Sequence, residues 1–448
     1  MDDGSPGQPI SKTVATMRAQ NRRVNFGRRR HTTYTNWIDE QMAGKESCSL
    51  GDWTFLENIV VEGPDALDVF ADLSVNSFED YAIGQAKHVV QCDEDGKVVA
   101  EGVLVRLDDD AFELHGIPCN WTAFNIDTGD YDATYEWRDT FNFQVQGPNA
   151  LDVLETVSEG GSLDHVEFVH SGMITIAGHE VRAVRFAMGN EVGFELQGPG
   201  EYGEEVWDAI FALEDEYDIQ RLGVNTSSIP FLETCIPTRT RDYVSAVHGE
   251  DMRPFREWLD ENSQRDIVNH PIEGSFEASD ISAWYRSPVE LGWEHYIAFD
   301  HDFVGREALE AEVADPERTI VTLEWNDEDV IDIYASLYRS GPTNKFMDMP
   351  HQQKRAMVAD SVRLDGEEVG VSTMRGYSYY FRKMLSLCVI DVEHAEPGTE
   401  VTVLWGEGGD PETPTVEAHE QKVVRATVAP APYIEDKRRQ DISDRATE

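Results

Sequence analysis

Residues 60–72, VVEGPDALDVFAD, and residues 144–156, QVQGPNALDVLET, share one order of elements: a β-strand, then Gly-Pro, then a helix. A looser third copy, FELQGPGEYGEEVWDAI, occupies residues 194–210. Glycine lets the chain turn sharply at the end of a strand, and proline in the first helical turn loses no hydrogen bond. The acidic residues that follow suit the positive end of a helix. The repeat therefore predicts an α+β fold of duplicated subdomains with antiparallel sheets rather than a doubly wound parallel sheet.

Short strands with alternating apolar residues follow one another from about residue 316. They include TIVTLEW, MLSLCVIDV, EVTVLWGE and KVVRATVAPAP, separated by polar or glycine-rich loops. This pattern predicts a separate C-terminal β-barrel or sandwich over residues 316–448, with a charged, frayed tail after Tyr433. Residues 238–285 differ, because they lack regular apolar periods but carry scattered aromatic side chains. A long irregular segment of this kind inside a compact protein is usually functional or disordered.

Residues 291–310, LGWEHYIAFDHDFVGREALE, combine two patterns. Apolar and polar side chains alternate up to Phe299, which predicts a strand. A charged turn follows, and Gly305 with the Arg-Glu-Ala-Leu sequence after it predicts the start of a helix. Any soluble α+β protein can contain such a unit, so the pattern alone identifies no function.

The chain is strongly acidic, since 86 acidic residues against 37 basic ones give a formal net charge of −49. The acidic residues are spread along the chain, which is typical of a halophilic protein kept soluble at high salt. Such a surface repels phosphates and argues against nucleic acid as a partner. The chain has no run of about 18 apolar residues and no recognisable signal peptide, so we expect no membrane partner and a cytoplasmic location.

The five cysteines form no CxxC pair, and the 13 histidines show no HExxH or HxH spacing. We therefore expect reduced, buried thiols and no metal site.

Several motifs occur in the same order in one known family. They are Phe299-Asp300, the helix start FVGREAL at 303–309 and the segment EPGTEV at 396–401. With these motifs and the Gly-Pro units, the chain from about residue 36 to 433 resembles the glycine-cleavage T-protein (aminomethyltransferase) family. By this resemblance, residues 291–310 mark the junction between a folate-binding core and a C-terminal barrel.

The resemblance implies two domains. The first, over residues 1–315, is a T-protein-like folate-binding core of duplicated antiparallel α+β subdomains. It contains an inserted subdomain at about 51–140 and the irregular segment at about 238–285. The second, over residues 316–448, is a C-terminal β-barrel domain.

Within the family, the chain is most similar to the tetrahydrofolate-dependent aromatic O-demethylases that act on vanillate and 3-O-methylgallate. The strings that carry this similarity are AFDHDFVGREALEA, VTLEWN, IYASLY, RGYSYY, GTEVTVLWGE and VEAHEQKVVRATVAPAPY. The similarity implies a methyltransferase that moves a methyl group from a small-molecule donor, such as an aromatic methyl ether acid, to tetrahydrofolate. The alternatives are demethylation of dimethylsulfoniopropionate or a methylated amine, glycine-cleavage aminomethyl transfer, and a non-catalytic folate-binding accessory protein. The oligomeric state is left open.

Four residues match positions that bind the cofactor in the family. A carboxylate can accept two parallel charge-assisted hydrogen bonds from the edge of a pterin ring, and Glu195 in VGFEL is the matching pterin-binding glutamate; its alternative is an exposed strand residue. Asn120 and Gln146 match folate contacts, with a turn cap and a strand-end hydrogen bond as their alternatives. Trp258 matches a tryptophan that flanks the pterin or substrate ring, and its alternative is a core residue on a short helix.

Expulsion of a phenolate from a methyl ether is easier when an acid donates a proton as the bond breaks. Glu101 matches the family's catalytic aspartate, and Tyr243 and His248 are the nearest matches to the catalytic tyrosine of the demethylases. Two substrate-side features of the demethylases are absent. The segment that matches their His-His pair is DWTFL, residues 52–56, which contains no histidine. The segment that matches their arginine is Gly-Ile-Pro, residues 116–118. The resemblance thus implies a retained folate side and an altered substrate side.

Overall fold

The computed structural model describes residues 31–263, 268–352, 356–409, 411 and 413–442. Its strands are β1 (Cys48–Asp52), β2 (Asn58–Glu62), β3 (Ala86–Cys92), β4 (Val98–Asp108), β5 (Ala111–Gly116), β6 (Thr134–Trp137), β7 (Thr140–Gln146), β8 (Ser171–Ile176), β9 (His179–Val184), β10 (Gly193–Pro199), β11 (Ile219–Arg221), β12 (Ile272–Glu273), β13 (Arg318–Trp325), β14 (Met357–Val358), β15 (Asp360–Leu364), β16 (Glu367–Ser378), β17 (Lys383–Asp391), β18 (Glu400–Trp405) and β19 (Lys422–Ala429). Its α-helices are α1 (Trp37–Glu46), α2 (Ala66–Leu73), α3 (Pro118–Thr128), α4 (Ala150–Val157), α5 (Gly203–Phe211), α6 (Glu214–Tyr217), α7 (Ile229–Glu233), α8 (Arg253–Asn262), α9 (Arg306–Ala314) and α10 (Asp327–Ser336). Short 3₁₀ turns lie at Gly200–Tyr202, Ile281–Trp284, Glu294–Tyr296 and Val392–His394.

Sheet A has six strands in the order β11-β1-β7-β10-β9-β8. Its pairs are antiparallel except β1 with β11, which is parallel. Leu50, Val145, Phe194 and Leu196 are buried on one face of this sheet and belong to one hydrophobic core. The side chains between them in sequence point to the opposite face, because successive residues of a strand alternate.

Sheet B has five strands in the order β3-β4-β5-β2-β6, and all of them come between β1 and β7 of sheet A. Val89, Ala100, Leu104 and Leu114 lie in the second hydrophobic core. The same alternation directs the neighbouring residues of these strands to the other face, toward sheet A.

The two clearest Gly-Pro units have the same local structure, and the predicted duplication is confirmed. Gly63 and Gly147 follow β2 and β7 with φ of +141° and +136°, a region that favours glycine. A side chain at either position would clash with backbone atoms of Asp132 or Ser47. Helices α2 and α4 start directly after these turns.

The predicted C-terminal barrel is also confirmed, as a closed barrel in the order β13-β17-β16-β15-β18-β19. Trp325 and Trp405 pack edge-to-face in its core with ring centroids 5.8 Å apart. The irregular segment pairs with β14, just before the barrel strand β15, through the parallel pair β12–β14. It also contacts the barrel itself, where the hydroxyl of Thr373 donates to Asp242 at 2.7 Å.

The strand predicted for residues 291–299 is wrong, whereas the helix after Gly305 is confirmed as α9. The segment forms tight turns: the N–H of Trp293 donates to the Pro288 carbonyl at 2.8 Å, and the N–H of Tyr296 donates to the Trp293 carbonyl at 2.9 Å. The alternating side chains are buried against sheet B, so the pattern reflects packing on a neighbouring sheet rather than pairing within one.

The frayed tail is a second wrong prediction for residues 434–442. The backbone N–H of Lys437 donates to the carbonyl of Asn190 at 2.8 Å, and Ile442 is buried in the core of sheet A. The tail therefore returns from the barrel to the core. Residues 443–448 lie outside the described part of the chain.

Candidate functional site

Sheet A carries a polar face that is buried. Asn142, Gln144 and Gln146 alternate with apolar residues along β7. In the antiparallel register, Glu195 of β10 lies opposite Gln144, and Gln197 lies opposite Asn142. All five side chains are buried, although burial of polar groups is unfavourable without hydrogen-bonding partners.

Several amide groups on this face lack such partners among the described residues. They are both polar atoms of Asn142, both polar atoms of Gln197 and the Nε2 of Gln144. Native proteins satisfy most buried polar atoms, so a cluster of this kind indicates a binding site for a polar molecule or ordered water.

Glu195 lies in the middle of these amides and is only 3% exposed. Burial raises the pKa of its carboxyl from 4.5 to about 7, and the neighbouring amides of Asn142 and Gln144 oppose that rise. Neither amide nitrogen forms a hydrogen bond with Glu195 or with another described residue. The carboxylate therefore retains unused acceptor positions in a buried environment.

Sheet B contributes the opposite wall. Asn58, Glu113 and His115 lie on its inward face, where the Nδ2 of Asn58 donates to Glu113 at 2.7 Å and lies 3.2 Å from the Nδ1 of His115. An ion pair between Arg182 of β9 and Glu113 of β5 joins the two sheets. Arg182 pairs with Gln197 in sheet A, so this ion pair fixes the polar faces opposite one another.

The charges of this network are set by burial. Burial lowers the pKa of His115 to about 4, so its imidazole is neutral near pH 7. Burial also raises the pKa of Glu113, but His115, Arg182 and Asn58 outweigh it and the net shift is downward. An ionised Glu113 is thus paired with Arg182.

Glu101 points from β4 to the same side of sheet B as Val103, and it forms a pair with His88 of β3. The Nε2 of His88 lies 2.8 Å from the Oε2 of Glu101, and the two side chains are 17% and 19% exposed. The His88 ring packs edge-on against Trp293 and Tyr296, with centroids 5.1 Å apart in both cases.

Tyr243 lies in the same region and is fully buried. Its ring packs edge-on against Trp293 at 6.1 Å, and its hydroxyl has no partner among the described residues. Burial raises its pKa well above 10, and the nearby Glu101 carboxylate adds to that rise. The structure therefore brings Glu101, Tyr243 and two aromatic side chains together.

Two of the predicted folate contacts are engaged by the protein itself. The side-chain oxygen of Gln146 accepts the N–H of Gly189 at 2.9 Å, which holds the loop before β10. The side chain of Asn120, on α3, donates to the carboxylate of Glu57. Both groups support the walls near the site.

Trp258 and His248 lie elsewhere in the irregular segment. The indole N–H of Trp258 donates to Asp127 at 2.9 Å, within the contact between α8 and α3. The His248 ring is stacked on Tyr285 with centroids 6.5 Å apart, and its backbone N–H donates to the Tyr285 hydroxyl at 3.2 Å. The described contacts do not bring either side chain to Glu195.

The GCVT N-terminal domain family model matches residues 12–250 of the chain. The syringate O-demethylase of a Sphingobium species is 35% identical over 416 residues, which are 89% of either chain. This chain belongs to the glycine-cleavage T-protein family. Within the family, the sesamin methylene transferase of a Sinomonas species is 32% identical over 421 residues, 90% of either chain. The aminomethyltransferase of a Thermotoga species is 25% identical and covers 65% of this chain and 71% of its own.

A solved T-protein structure has the same fold. The aminomethyltransferase T of Bartonella henselae superposes with a TM-score of 0.65 at 15% identity, covering 91% of this chain and 92% of its own. The resemblance to the T-protein family and to its demethylases is confirmed, and the protein is a tetrahydrofolate-dependent one-carbon transferase.

The buried polar residues of β7 and β10 and the facing residues Asn58, Glu113 and His115 of sheet B, together called the polar cleft, fit a reduced pterin. The ring presents adjacent N–H donors and a carbonyl, which complement a buried carboxylate and the unpartnered amides of Asn142 and Gln197. When bound, tetrahydrofolate supplies the nitrogen that accepts the one-carbon unit. Among the described residues, no group of three or more His, Cys, Asp or Glu side chains is arranged to hold a metal ion. No described helix is long and apolar enough to cross a membrane.

Sequence reasoning missed Asn142, Gln144, Gln197 and His88. The first two stand in TFNFQVQ, where polar and apolar residues alternate, a pattern that also fits a solvent-exposed face. Their burial depends on tertiary packing, in which sheet B lies against this region through Asn58 with Thr140 and Glu113 with Arg182. The pairing of His88 with Glu101 depends on the register of β3 with β4, which is not readable from either strand alone.

Proposed function

We propose that this protein removes the methyl group of a small aromatic methyl ether acid, such as vanillate or syringate, and transfers it to tetrahydrofolate. The observation that carries the proposal is the arrangement of Trp293, Tyr296 and Tyr243 around the His88–Glu101 pair. Aromatic side chains pack favourably against an aromatic substrate. A histidine paired with a carboxylate can donate a proton to the departing phenolate. The overall similarity to a syringate O-demethylase supports the same substrate class.

We assign the roles as follows. Glu195 holds the edge of the pterin, Gln146 and Asn120 hold the walls of its site, and Glu101 and Tyr243 act beside the methyl group that is transferred. Trp258 and His248 keep the irregular segment in place, which is a supporting role rather than direct contact with the cofactor.

A second candidate is demethylation of a sulfonium compound or a methylated amine. Aromatic rings beside a carboxylate can hold a methylated cation. In this protein, however, the Glu101 carboxylate already pairs with His88 at 2.8 Å. It is therefore less available to neutralise a methylated cation, which favours the aromatic ether.

The test is a substrate panel assayed anaerobically with tetrahydrofolate at molar salt. The panel contains vanillate, syringate, dimethylsulfoniopropionate, glycine betaine and dimethylglycine, and the product measured is methylated tetrahydrofolate. We expect methyl transfer from one or both aromatic acids only. Transfer from the sulfonium or amine compounds alone would overturn the substrate assignment, and folate binding without any transfer would favour the accessory protein.

We also infer a reducing compartment, in line with a cytoplasmic enzyme acting on a small-molecule donor. All five cysteines are free thiols, and four of them are buried. Burial raises the pKa of Cys48 to about 12, which keeps that thiol protonated and unreactive.

A further inference from the structure

His88 is a titratable residue that neither the sequence motifs nor the family resemblance assigns to a role. It stands on β3, and its carbonyl accepts a hydrogen bond from the side chain of Asn76 at 2.8 Å. The oxygen of the same Asn76 amide accepts the N–H of Val90 at 2.9 Å, so the strand is held firmly at this point. The Nε2 of His88 lies 2.8 Å from the Oε2 of Glu101.

The other ring nitrogen of His88 is available to a substrate. Its Nδ1 makes no hydrogen bond with a described residue, and the side chain is 17% exposed. The ring is fixed from two sides by Trp293 and Tyr296. A histidine that is oriented by a carboxylate at one nitrogen and open at the other has the geometry of an acid–base residue.

The charged and titratable groups that face the pair come from several elements. They are Tyr243 from the irregular segment and His295 and Tyr296 from the 3₁₀ turn. Behind them, Arg438, Arg439 and Asp436 of the C-terminal tail act on His295 and Tyr296.

Tyr243 is less suited to give up a proton. Its hydroxyl is fully buried, and burial raises its pKa well above 10. It can donate a hydrogen bond to a phenolate, but proton transfer from it is unfavourable near neutral pH. A half-buried histidine paired with a carboxylate is the better proton donor.

We propose that His88 and Glu101 form a proton relay that completes the demethylation, an inference that rests on the proposed function. The bond between the methyl carbon and the ether oxygen breaks while the bond from that carbon to N5 of the cofactor forms. The electron pair of the broken bond stays on the phenolate oxygen, which receives a proton from the Nδ1 of His88. Glu101 takes up the proton released from N5. Exchange with solvent, which reaches both side chains because they are 17% and 19% exposed, then removes the proton from Glu101 and returns one to Nδ1, so the pair gives one proton and gains one in each turnover.

The 2.8 Å hydrogen bond joins Glu101 to the Nε2 of His88, which leaves Nδ1 as the nitrogen that donates the proton. Tyr243 stays protonated throughout. By the register of β3 with β4, Glu101 and His88 share the face of sheet B that is turned toward sheet A, which carries the proposed cofactor site.

The test compares wild type with His88→Gln and Glu101→Gln, using aryl methyl ethers whose phenols differ in acidity. Glutamine keeps a hydrogen bond but does not deliver a proton. With vanillate we expect kcat of His88→Gln to fall about 10²- to 10⁴-fold, with KM and the Kd of tetrahydrofolate changed less than threefold. The loss should shrink steadily as the leaving phenol becomes more acidic, and a merely structural role would not produce this trend.

His165→Gln is the matched control, because His165 forms a similar pair with Asp164 but is 74% exposed on the surface. It should retain wild-type kcat. The double variant should lose little more than either single variant, since both changes interrupt one relay.

The outcomes are distinguishable. If wild type transfers no methyl group from any aryl ether, the proposed function and the relay both fail. If wild type is active and His88→Gln has the same kcat, or loses the same factor with every leaving group, the relay alone is overturned. Unfolding curves of each variant identify a loss of structure, and the leaving-group trend within one folded variant is then decisive.

Discussion

The polar cleft between sheets A and B and the contact between β12 and the barrel, here called the junction, both bury carboxylates. They differ in whether a buried cation lies beside the carboxylate. At the junction, Lys345 is buried with its Nζ 2.8 Å from Glu407 and 3.3 Å from Glu273. The N–H of Gly274 also donates to Glu407, at 2.6 Å. In the cleft, no cationic side chain of the described residues pairs with Glu195, and the amides around it have atoms without a partner in that part of the chain.

The difference separates structure from function. The carboxylates at the junction share the ammonium of Lys345, so they join the barrel to β12 through a residue of the same chain. Glu195 has no such cation among the described residues. A buried carboxylate without a cationic partner therefore points to a ligand, whereas carboxylates that share a buried cation point to architecture.

The largest expected effect is on stability and comes from Lys345→Met. Removal of the ammonium leaves Glu273 and Glu407 buried without their cation, and breaking a buried pair costs about 3–5 kcal/mol. Urea unfolding measures this loss, and the Kd of tetrahydrofolate should be unchanged in the folded variant. Lys383→Met is the control, because Lys383 pairs with Glu324 and Asp327 at the surface and such pairs contribute about 1 kcal/mol or less. Equal losses in both variants would remove the contrast between junction and cleft.

Glu195→Gln should have the opposite effects to Lys345→Met, with weaker tetrahydrofolate binding and no loss of stability. Loss of the two charge-assisted hydrogen bonds to the pterin should weaken tetrahydrofolate binding about 100-fold, measured by anaerobic calorimetry. The ligand-free variant should be more stable than wild type at about pH 8, since ionised Glu195 is buried at a cost that glutamine avoids.

Glu180→Gln changes an exposed glutamate of the neighbouring strand β9 and should bind tetrahydrofolate like wild type. Unaltered affinity in Glu195→Gln would show that this cleft is not the pterin site.

The smallest effect concerns pH. The pKa of Glu195 is raised from 4.5 to about 7 in the folded protein, so this group favours folding below about pH 4.5, and that contribution is lost as the pH rises through 7. Pterin binding requires the ionised form. The Kd should therefore rise about tenfold for each pH unit below about 7 and be constant above it. Glu195→Gln removes the slope, and a slope that persists in this variant would assign the titration to another group.

Part of this organisation is readable from the sequence because it depends on local geometry. The Gly-Pro turns follow from backbone preferences at Gly63 and Gly147, and the motif around Glu195 identified the cofactor. The prediction of a strand at 291–299 was wrong. Alternation of apolar and polar residues indicates that one side of a segment is buried, but it does not show whether another strand is available for pairing.

The side chains around Glu195 were not predictable for a similar reason. Asn142 and Gln197 are 55 positions apart by their numbers but become neighbours through the register of β7 with β10. In the sequence, each of these two residues looks like a solvent-exposed polar position of a strand. Their missing partners become evident only when sheet B covers them.

The sequence by itself determined the repeated strand–turn–helix units, the membership of the T-protein family and the use of tetrahydrofolate, because short motifs and backbone preferences are properties of neighbouring residues. The tertiary structure decided which polar groups meet: the opposed faces joined by Arg182 and Glu113, and the pair of His88 with Glu101. Such contacts depend on strand register and on the packing of one sheet against another, and no single segment of the chain encodes them.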